Sequence, residues 1–361
     1  MTTQQIVPPA QIESELLRIW DSLDQTRQMR ASLFNLIVFN ELSTRTDYIR
    51  NIVQKIIDTF PCRVLFVSHD PDPSKHYLKT AVSVIASKGT GSNVCDDIDI
   101  GVAGSEWERV PYVILPHLLP DLPVYLLWAE DPSHTHPLFQ PLAKLSTRII
   151  FDSESADHLT SFAQTLLNLK EQKGQDIADL NWARLEGWRD LLASTFDSKE
   201  RIKDLNEIDE LTITYNGRET EFFCHLKIQA MYLLALVSSR LGWSFQTFEK
   251  KKNHFHFSFD QSIRAKIESS FIQELPPGSI LSMKISTKGQ SHYHFAINPQ
   301  QPHQATVNIT MHDRCELPYR FILRKSLMGQ SLVREIFLKG TSSFFVETLH
   351  QLQILDRETI C

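Results

Sequence analysis

The chain has 361 residues, 42% of them hydrophobic and 22% charged, with a formal net charge of −6. That length and balance fit a folded protein with two separate cores and exclude wholesale disorder. The acidic excess argues against nucleic acid or an anionic membrane as a general partner, because phosphate binding needs a concentrated positive field.

The N-terminal stretch "MTTQQIVPPAQIESELLRIW" lacks a basic start followed by an apolar core, and no apolar run approaches the length of a membrane span. Five scattered cysteines, Cys62, Cys95, Cys224, Cys315 and Cys361, form no CxxC pair, which speaks against a disulfide framework and a structural zinc site. A reducing cytoplasm is the expected home.

Residues 11–29 place Ile12, Leu16, Ile19 and Leu23 at helical spacing. Residues 31–40 read as a strand, and "TDYIRNIVQKIIDTF" as a helix with Ile49, Val53, Ile56 and Ile57 on one face, stopped by Pro61. "RVLFVSHD" suits a buried strand. "TAVSVIAS" and "VCDDIDIGVAG" predict a hairpin around "KGTGSN". Ser105 and Glu108 have the spacing of a capping box, predicting a helix to about Leu119. "PVYLLWA" follows as a strand, then a His- and Pro-rich loop, a short helix over 138–145 and the strand "RIIFDS". This alternation predicts an N-terminal three-layer α/β domain with a mixed sheet over residues 31–173, after an N-terminal helix within 1–30.

The charged stretch 169–179 reads as a linker. "DLNWARLEGWRDLLASTFD" then predicts one helix with Asp179 as its cap. A strand "LTITYNG", a long apolar helix over 225–241 ended by Gly242, and five strand-like segments from "HFHFSFD" to "YRFILRK" complete the chain. The C-terminal part, 179–361, is therefore predicted as an α+β domain, an antiparallel sheet covered by helices.

Few motifs carry chemistry. "KGTGSN" lacks the Lys-Ser/Thr of a phosphate loop and reads as a turn, while "GVAGSEWERV" could offer amides to an anion unless Ser105 satisfies them. The pairs His134 and His136, His254 and His256, and His292 and His294 could meet as metal ligands. A half-buried sheet alternates in the same way, and no carboxylate stands at a diagnostic interval. Asp96 and Asp97 should point to opposite faces of a strand, as solvated edge charges. In "LLPDLPVYLLW", Asp121 is either a catalytic acid or turn punctuation. The prolines favour the latter, ending one element and launching a strand. Trp182, Arg184, Trp188 and Arg189, with Arg320 and Arg324, are candidate partner-contact residues, since Trp and Arg are enriched at interfaces.

Three segments in order, "VCDDIDIGVAG", "LLPDLPVYLLWAEDP" with "RIIFDSES", and "DLNWARLEGWRDLLASTFD", resemble the OpcA family of glucose-6-phosphate dehydrogenase assembly proteins. The resemblance covers residues 31–197, about half the chain, and is carried by Pro120, Asp121, Leu122, Pro123, Arg148, Asp152, Ser153 and the Asp-Leu-Asn-Trp helix start. Leu127 departs from the tryptophan pair that members often show there. The resemblance implies a non-catalytic, allosteric partner that binds glucose-6-phosphate dehydrogenase in the oxidative pentose phosphate pathway. It implies no catalytic residue of its own, no cofactor and no metal. The alternatives are a stand-alone enzyme on a phosphorylated sugar or its lactone, dependent on Asp121 or Asp152, and a metal protein dependent on His254 and His256.

Overall fold

A computed structural model describes residues 4–23, 29–30, 32–86, 93–220, 225–251, 254–311, 314–323, 335, 338 and 340–355. The chain forms two compact units that interleave in sequence. Unit 1 takes residues 1–156, 169–180 and 328–340, and unit 2 takes 157–168, 181–327 and 341–361.

Unit 1 is built on a nine-stranded sheet. Its strands are β1 (Gln5–Ile6), β2 (Met29–Arg30), β3 (Asn35–Glu41), β4 (Arg63–Asp70), β5 (Tyr77–Ala86), β6 (Asn93–Ala103), β7 (Val124–Trp128), β8 (Arg148–Phe151) and β9 (Ile177–Asp179). They lie in the order β1-β5-β6-β4-β3-β7-β8-β9, with β2 beside β6. From β6 to β9 every neighbour is parallel, and the expected hairpin β5–β6 is antiparallel. From β3 in mid-sheet the chain builds outward through β4 and β6, then returns to lay β7, β8 and β9 on the other side. That is the order of doubly wound dinucleotide folds, whose reversal falls here between β3 and β7.

The sequence explains the placement. Strands buried on both faces read as continuous apolar runs, and β3 and β4 do so. α1 (Ile12–Leu23) buries Ile12, Leu16, Ile19 and Trp20, and α2 (Thr46–Thr59) buries Ile49, Ile52, Val53 and Ile56, both at helical spacing.

The predicted capping box does not form. Residues Gly104–Arg109 make a 3₁₀ turn without a side-chain cap at Ala103, followed by the single-turn α3 (Val110–Ile114), because Pro111 and Pro116 deny longer helical bonding. Gly104 has φ +61°, and a Cβ there would lie 2.5 Å from the His76 ring, so the position accepts only glycine.

Two further expectations are overturned in unit 1. The stretch read as a linker contains β9, which pairs in parallel with β8 and extends the sheet. Asp96 and Asp97 are not solvated edge charges, since β6 has β5 on one side and β4 on the other, and both side chains are buried. Asp96 instead anchors a network at the amino ends of the parallel strands. Arg63 donates to its Oδ2 at 2.7 Å and to Glu13 Oε1 at 2.7 Å, and the Trp20 indole donates to its Oδ1 at 2.6 Å. Glu13 also contacts His117 Nδ1 at 2.9 Å. That bond, together with Arg63, holds the Glu13 carboxyl below its ordinary range. The network ties α1 to the sheet.

Unit 2 holds an eight-stranded sheet in the order β11-β12-β13-β10-β14-β15-β16-β17. Its strands are β10 (Ile208–Asn216), β11 (Phe245–Lys251), β12 (His254–Phe259), β13 (Arg264–Ser270), β14 (Ile280–Thr287), β15 (His292–Asn298), β16 (Gln301–Thr310) and β17 (Tyr319–Ile322). It is antiparallel as expected except for one pair, β10 with β13, which run parallel. Burial alternates along β12, with Phe255, Phe257 and Phe259 inside and His254, His256 and Ser258 on the opposite face.

With α4 (Phe139–Leu145) in unit 1, further α-helices among the described residues are α5 (Leu159–Leu167), α6 (Leu180–Arg184), α7 (Glu186–Thr195), α8 (Lys199–Asn206), α9 (Ile228–Arg240) and α10 (Ser343–Leu355). In unit 2, α10 packs on α5 and α9. The single helix expected around Trp182 and Trp188 is two, α6 and α7, broken at the buried Leu185, whose ψ of 0° is not helical. Asp179, immediately before α6, also accepts the Ser153 amide and hydroxyl, at 2.9 and 3.1 Å. No helix among the described residues is long and apolar enough to cross a membrane.

Candidate functional site

In parallel sheets of this order, ligands settle outside the carboxyl ends of the strands, where the order reverses. Here that place lies beyond β3, β4 and β7 in unit 1. Glu41 ends β3, His69 lies one residue from the end of β4, and Glu130 and His136 follow β7.

The floor is aromatic. Phe39 and Trp128, paired in register across β3 and β7, stack with centroids 4.1 Å apart, and the His136 ring sits 4.6 Å from Phe39. The His69 ring meets His136 edge-on at 5.1 Å, and His69 Nδ1 lies 3.4 Å from Glu41 Oε1. One ligand atom from each of Glu41, His69 and His136 falls within 4.8 Å of the others. Burial and the neighbouring His69 push His136 down to about 4, so it is a neutral imidazole near neutral pH.

The turn from β3 into α2, "NELSTRT" over residues 40–46, contains no glycine. Its shape is fixed from within and by its neighbours. Asn40 Nδ2 donates to Thr46 Oγ1 at 2.9 Å, the Leu42 amide donates to the His69 carbonyl at 2.8 Å, and the Glu41 amide donates to Glu130 Oε1 at 2.8 Å. Burial, with the nearby Glu41 charge, pushes the Glu130 carboxyl up to about 7. Arg45 reaches across to Asp152 at 2.6 Å.

In dinucleotide folds this turn is glycine-rich and its amides face a pyrophosphate at the helix start. The same place here holds Glu41 and Glu130, with Arg45 already neutralised by Asp152. Each like-charge pair at 4 Å repels by about 4 kcal/mol at an effective dielectric constant of 20. The arrangement therefore favours cations over phosphates.

The residues singled out from sequence fall elsewhere. Asp121 is exposed in the turn before β7, at the amino ends of the strands, with φ +63°, a conformation Asp tolerates better than most residues. It lies at the opposite end of the parallel sheet from Asp152. The turn is held by the buried Asn35, which donates to the Leu119 carbonyl at 3.1 Å and accepts its amide at 2.8 Å. Pro120, Leu122 and Pro123 complete that turn.

Arg148, Asp152 and Ser153 are buried and engaged. Arg148 bonds Glu335 at 3.2 Å and the Leu338 carbonyl, Asp152 meets Arg45, and Ser153 bonds Asp179 at 2.9 Å. In unit 2, Trp182 and Trp188 are 2% and 5% exposed, so both indoles belong to the packed interior. Arg189 lies 3.9 Å over the Trp182 ring and Arg184 bonds Asn181 at 2.8 Å. Arg320 is exposed on β17, and Arg324 lies outside the described residues.

In each histidine pair of unit 2 one ring stands opposite a lysine: His256 is opposite Lys266 and His294 opposite Lys284, while His254 is opposite Glu268 and His292 opposite Ser286. Burial first, then Lys251 and Lys266 for His256 and Lys284 for His294, lowers both imidazoles below their ordinary range. Among the described residues they join no third ligand. Of the His134 and His136 pair, His136 meets His69.

Sequence reasoning missed Glu41, His69 and Glu130. A strand followed by a glycine-free turn into a helix, with "VSHD" ending the next strand, was the available signal.

Comparison with known proteins adds the following. Residues 53–169 match the family model of the glucose-6-phosphate dehydrogenase subunit N-terminal domain, and residues 175–322 match that of its C-terminal domain. An OpcA protein of Synechococcus elongatus, named for the OxPP cycle, is 27% identical over 236 residues, covering 63% of this chain and 51% of its own. Another, of Synechocystis, is 31% identical over 198 residues, covering 54% and 40%. The chain thus spans about half or less of the length of these relatives.

Among solved structures, the 3-ketoreductase KijD10 from Actinomadura kijaniata, in complex with NADP and TDP-benzene, superposes with a TM-score of 0.53 at 9% identity, over 89% of this chain and 95% of that one. UDP-N-acetylglucosamine 3-dehydrogenase GnnA from Acidithiobacillus ferrooxidans gives 0.50 at 9% identity, over 89% and 96%. These two show the fold alone.

Proposed function

Because this chain belongs to the glucose-6-phosphate dehydrogenase subunit family, we propose that it is a non-catalytic partner of that enzyme, favouring its active oligomer or conformation in the oxidative pentose phosphate pathway. The observation that best supports a partner over an enzyme is the β3–α2 turn. There a sheet of dinucleotide order carries carboxylates where a dinucleotide's phosphates would need amides. We take residues 31–173 and 179–361 as its two domains in the family's sense, and a cytoplasmic location as part of the same proposal.

An activator works only by binding the active form more tightly than the inactive one, since equal affinity shifts nothing. We assign the differential contact to the arginine-bearing surface of unit 2, with Arg184, Arg189 and Arg320 as its cations, and Arg324 as a further candidate from sequence alone. Trp182 and Trp188 support that surface from inside.

Purified chain added to the dehydrogenase of the same organism should raise the rate of NADP reduction and co-elute with it. Arg320→Glu should weaken the complex about tenfold, in the range of an interface arginine, while leaving the fold intact. Unchanged kinetics together with no co-elution would overturn the proposal.

The fold likeness to oxidoreductases favours a second reading, an enzyme on a phosphorylated sugar. It requires turnover by this chain alone, abolished by Asp152→Asn.

A further inference from the structure

We propose that Glu41, His69 and His136 form a binding site for one divalent first-row transition metal ion, zinc being the best fit. The inference stands on unit 1 alone and is independent of any dehydrogenase partner.

The donor set is two imidazoles and a carboxylate, a combination that suits zinc and its neighbours and is poor for magnesium or calcium. The spacing agrees. Ligands about 2.0–2.1 Å from a tetrahedral ion stand about 3.3 Å apart. His69 Nδ1 and Glu41 Oε1 are already 3.4 Å apart, and the whole triad lies within 4.8 Å, so side-chain rotation of about an ångström closes it.

The three residues come from two adjacent strands and the loop after a third, all at the carboxyl edge of one sheet, which fixes their backbones. Glu41 is 38% exposed at its side chain and His69 17%, leaving solvent access for an ion and for a further ligand. Phe39 and Trp128 pack beneath His136, restricting its ring. His136 Nδ1 now takes a long bond from the Leu138 amide at 3.2 Å. A metal either displaces that donor or binds the ring turned over. The surrounding charge also fits, since Glu41 brings a carboxylate to the turn and Arg45, on the same turn, is paired with Asp152 at 2.6 Å.

The test is a cobalt titration of the chelator-treated 361-residue chain near neutral pH, followed by visible absorption, with zinc in competition. One ion per chain should bind, with d–d bands of four- or five-fold coordination, and zinc should displace it. His69→Ala and His136→Ala should each weaken binding at least about tenfold, and Glu41→Gln less. The double variant His254→Ala with His256→Ala should bind as the parent does, and circular dichroism checks that each variant folds. Proton NMR of the parent cobalt complex gives a reading free of mutation, with two paramagnetically shifted imidazole N–H resonances expected. No saturable binding below millimolar metal, a spectrum without imidazole resonances, or binding lost only in the His254 and His256 variant would each overturn the proposal.

Discussion

Replacing Arg63 by methionine lowers the stability of unit 1 by about 3–5 kcal/mol, the range observed when one member of a buried ion pair is removed. Arg63 is 2% exposed and its guanidinium serves Asp96, Glu13 and the His117 carbonyl at once. Removing it strips the buried Asp96 of its guanidinium partner and leaves the Trp20 indole donating to Oδ1. Neutralising that carboxylate as well should recover much of the loss, because well-packed apolar replacements of a buried pair are often nearly neutral. The double variant Arg63→Met with Asp96→Leu is therefore expected to be more stable than Arg63→Met alone. Urea unfolding followed through hydrogen exchange of the Trp20 indole N–H reports on this network directly. A loss below about 1 kcal/mol for Arg63→Met would place the network in the class of exposed pairs instead.

The second large effect depends on pH. Burial, then the Asp99 charge beside it, pushes the Asp97 carboxyl up to about 7. In the unfolded chain the group ionises near pH 4, so the folded state holds an extra proton between about pH 4 and pH 7. Stability from this group is complete below about pH 4 and is lost as pH rises through 7, by up to about 4 kcal/mol for a shift of three units. Asn is a neutral copy of the protonated side chain and can still accept the Ser83 hydroxyl, which now lies 2.9 Å from Asp97 Oδ2. Asp97→Asn should therefore gain on the parent chain as pH rises, the gap widening by about 2–3 kcal/mol between about pH 5 and about pH 8. Urea midpoints at the two pH values measure it, and a gap that does not change with pH would sink the argument.

Local order was legible wherever periodicity was strong. The helix with Ile49, Val53, Ile56 and Ile57 on one face ends within a residue of its expected bounds, and "RVLFVSHD" is a strand over its whole length. The hairpin was legible too, because Ile98, Ile100 and Val102 alternate with polar residues. Pairing between distant strands was not. Nothing in "VCDDIDI" announces that β4 will flank it, and without that neighbour two adjacent aspartates look like a solvated edge. β9 was hidden because three residues show no period, and its charged surroundings imitate a linker.

The site escaped for the same reason. His69 is 28 residues from Glu41, and parallel pairing alone brings them side by side. The histidine pairs that drew notice were close in sequence, yet on β12 and β15 one ring of each, His256 and His294, stands across from a lysine. Recognition of the family rested on residues that hold the fold, Asp152, Ser153 and Arg148 among them, because buried polar networks tolerate few substitutions.

The bond from Arg148 to Glu335 spans 187 positions of chain. During synthesis at about 5–20 residues per second, Arg148 therefore waits roughly 10–40 s after emerging before its carboxylate partner has been made. Unit 1 reaches its final state only after nearly all of unit 2 has been translated. For that interval β9 covers the β8 edge and the guanidinium has the Asp176 carboxylate, 3.9 Å from its Nε, without Glu335, so the order of manufacture, more than the order of strands, sets when this half of the molecule completes its buried network.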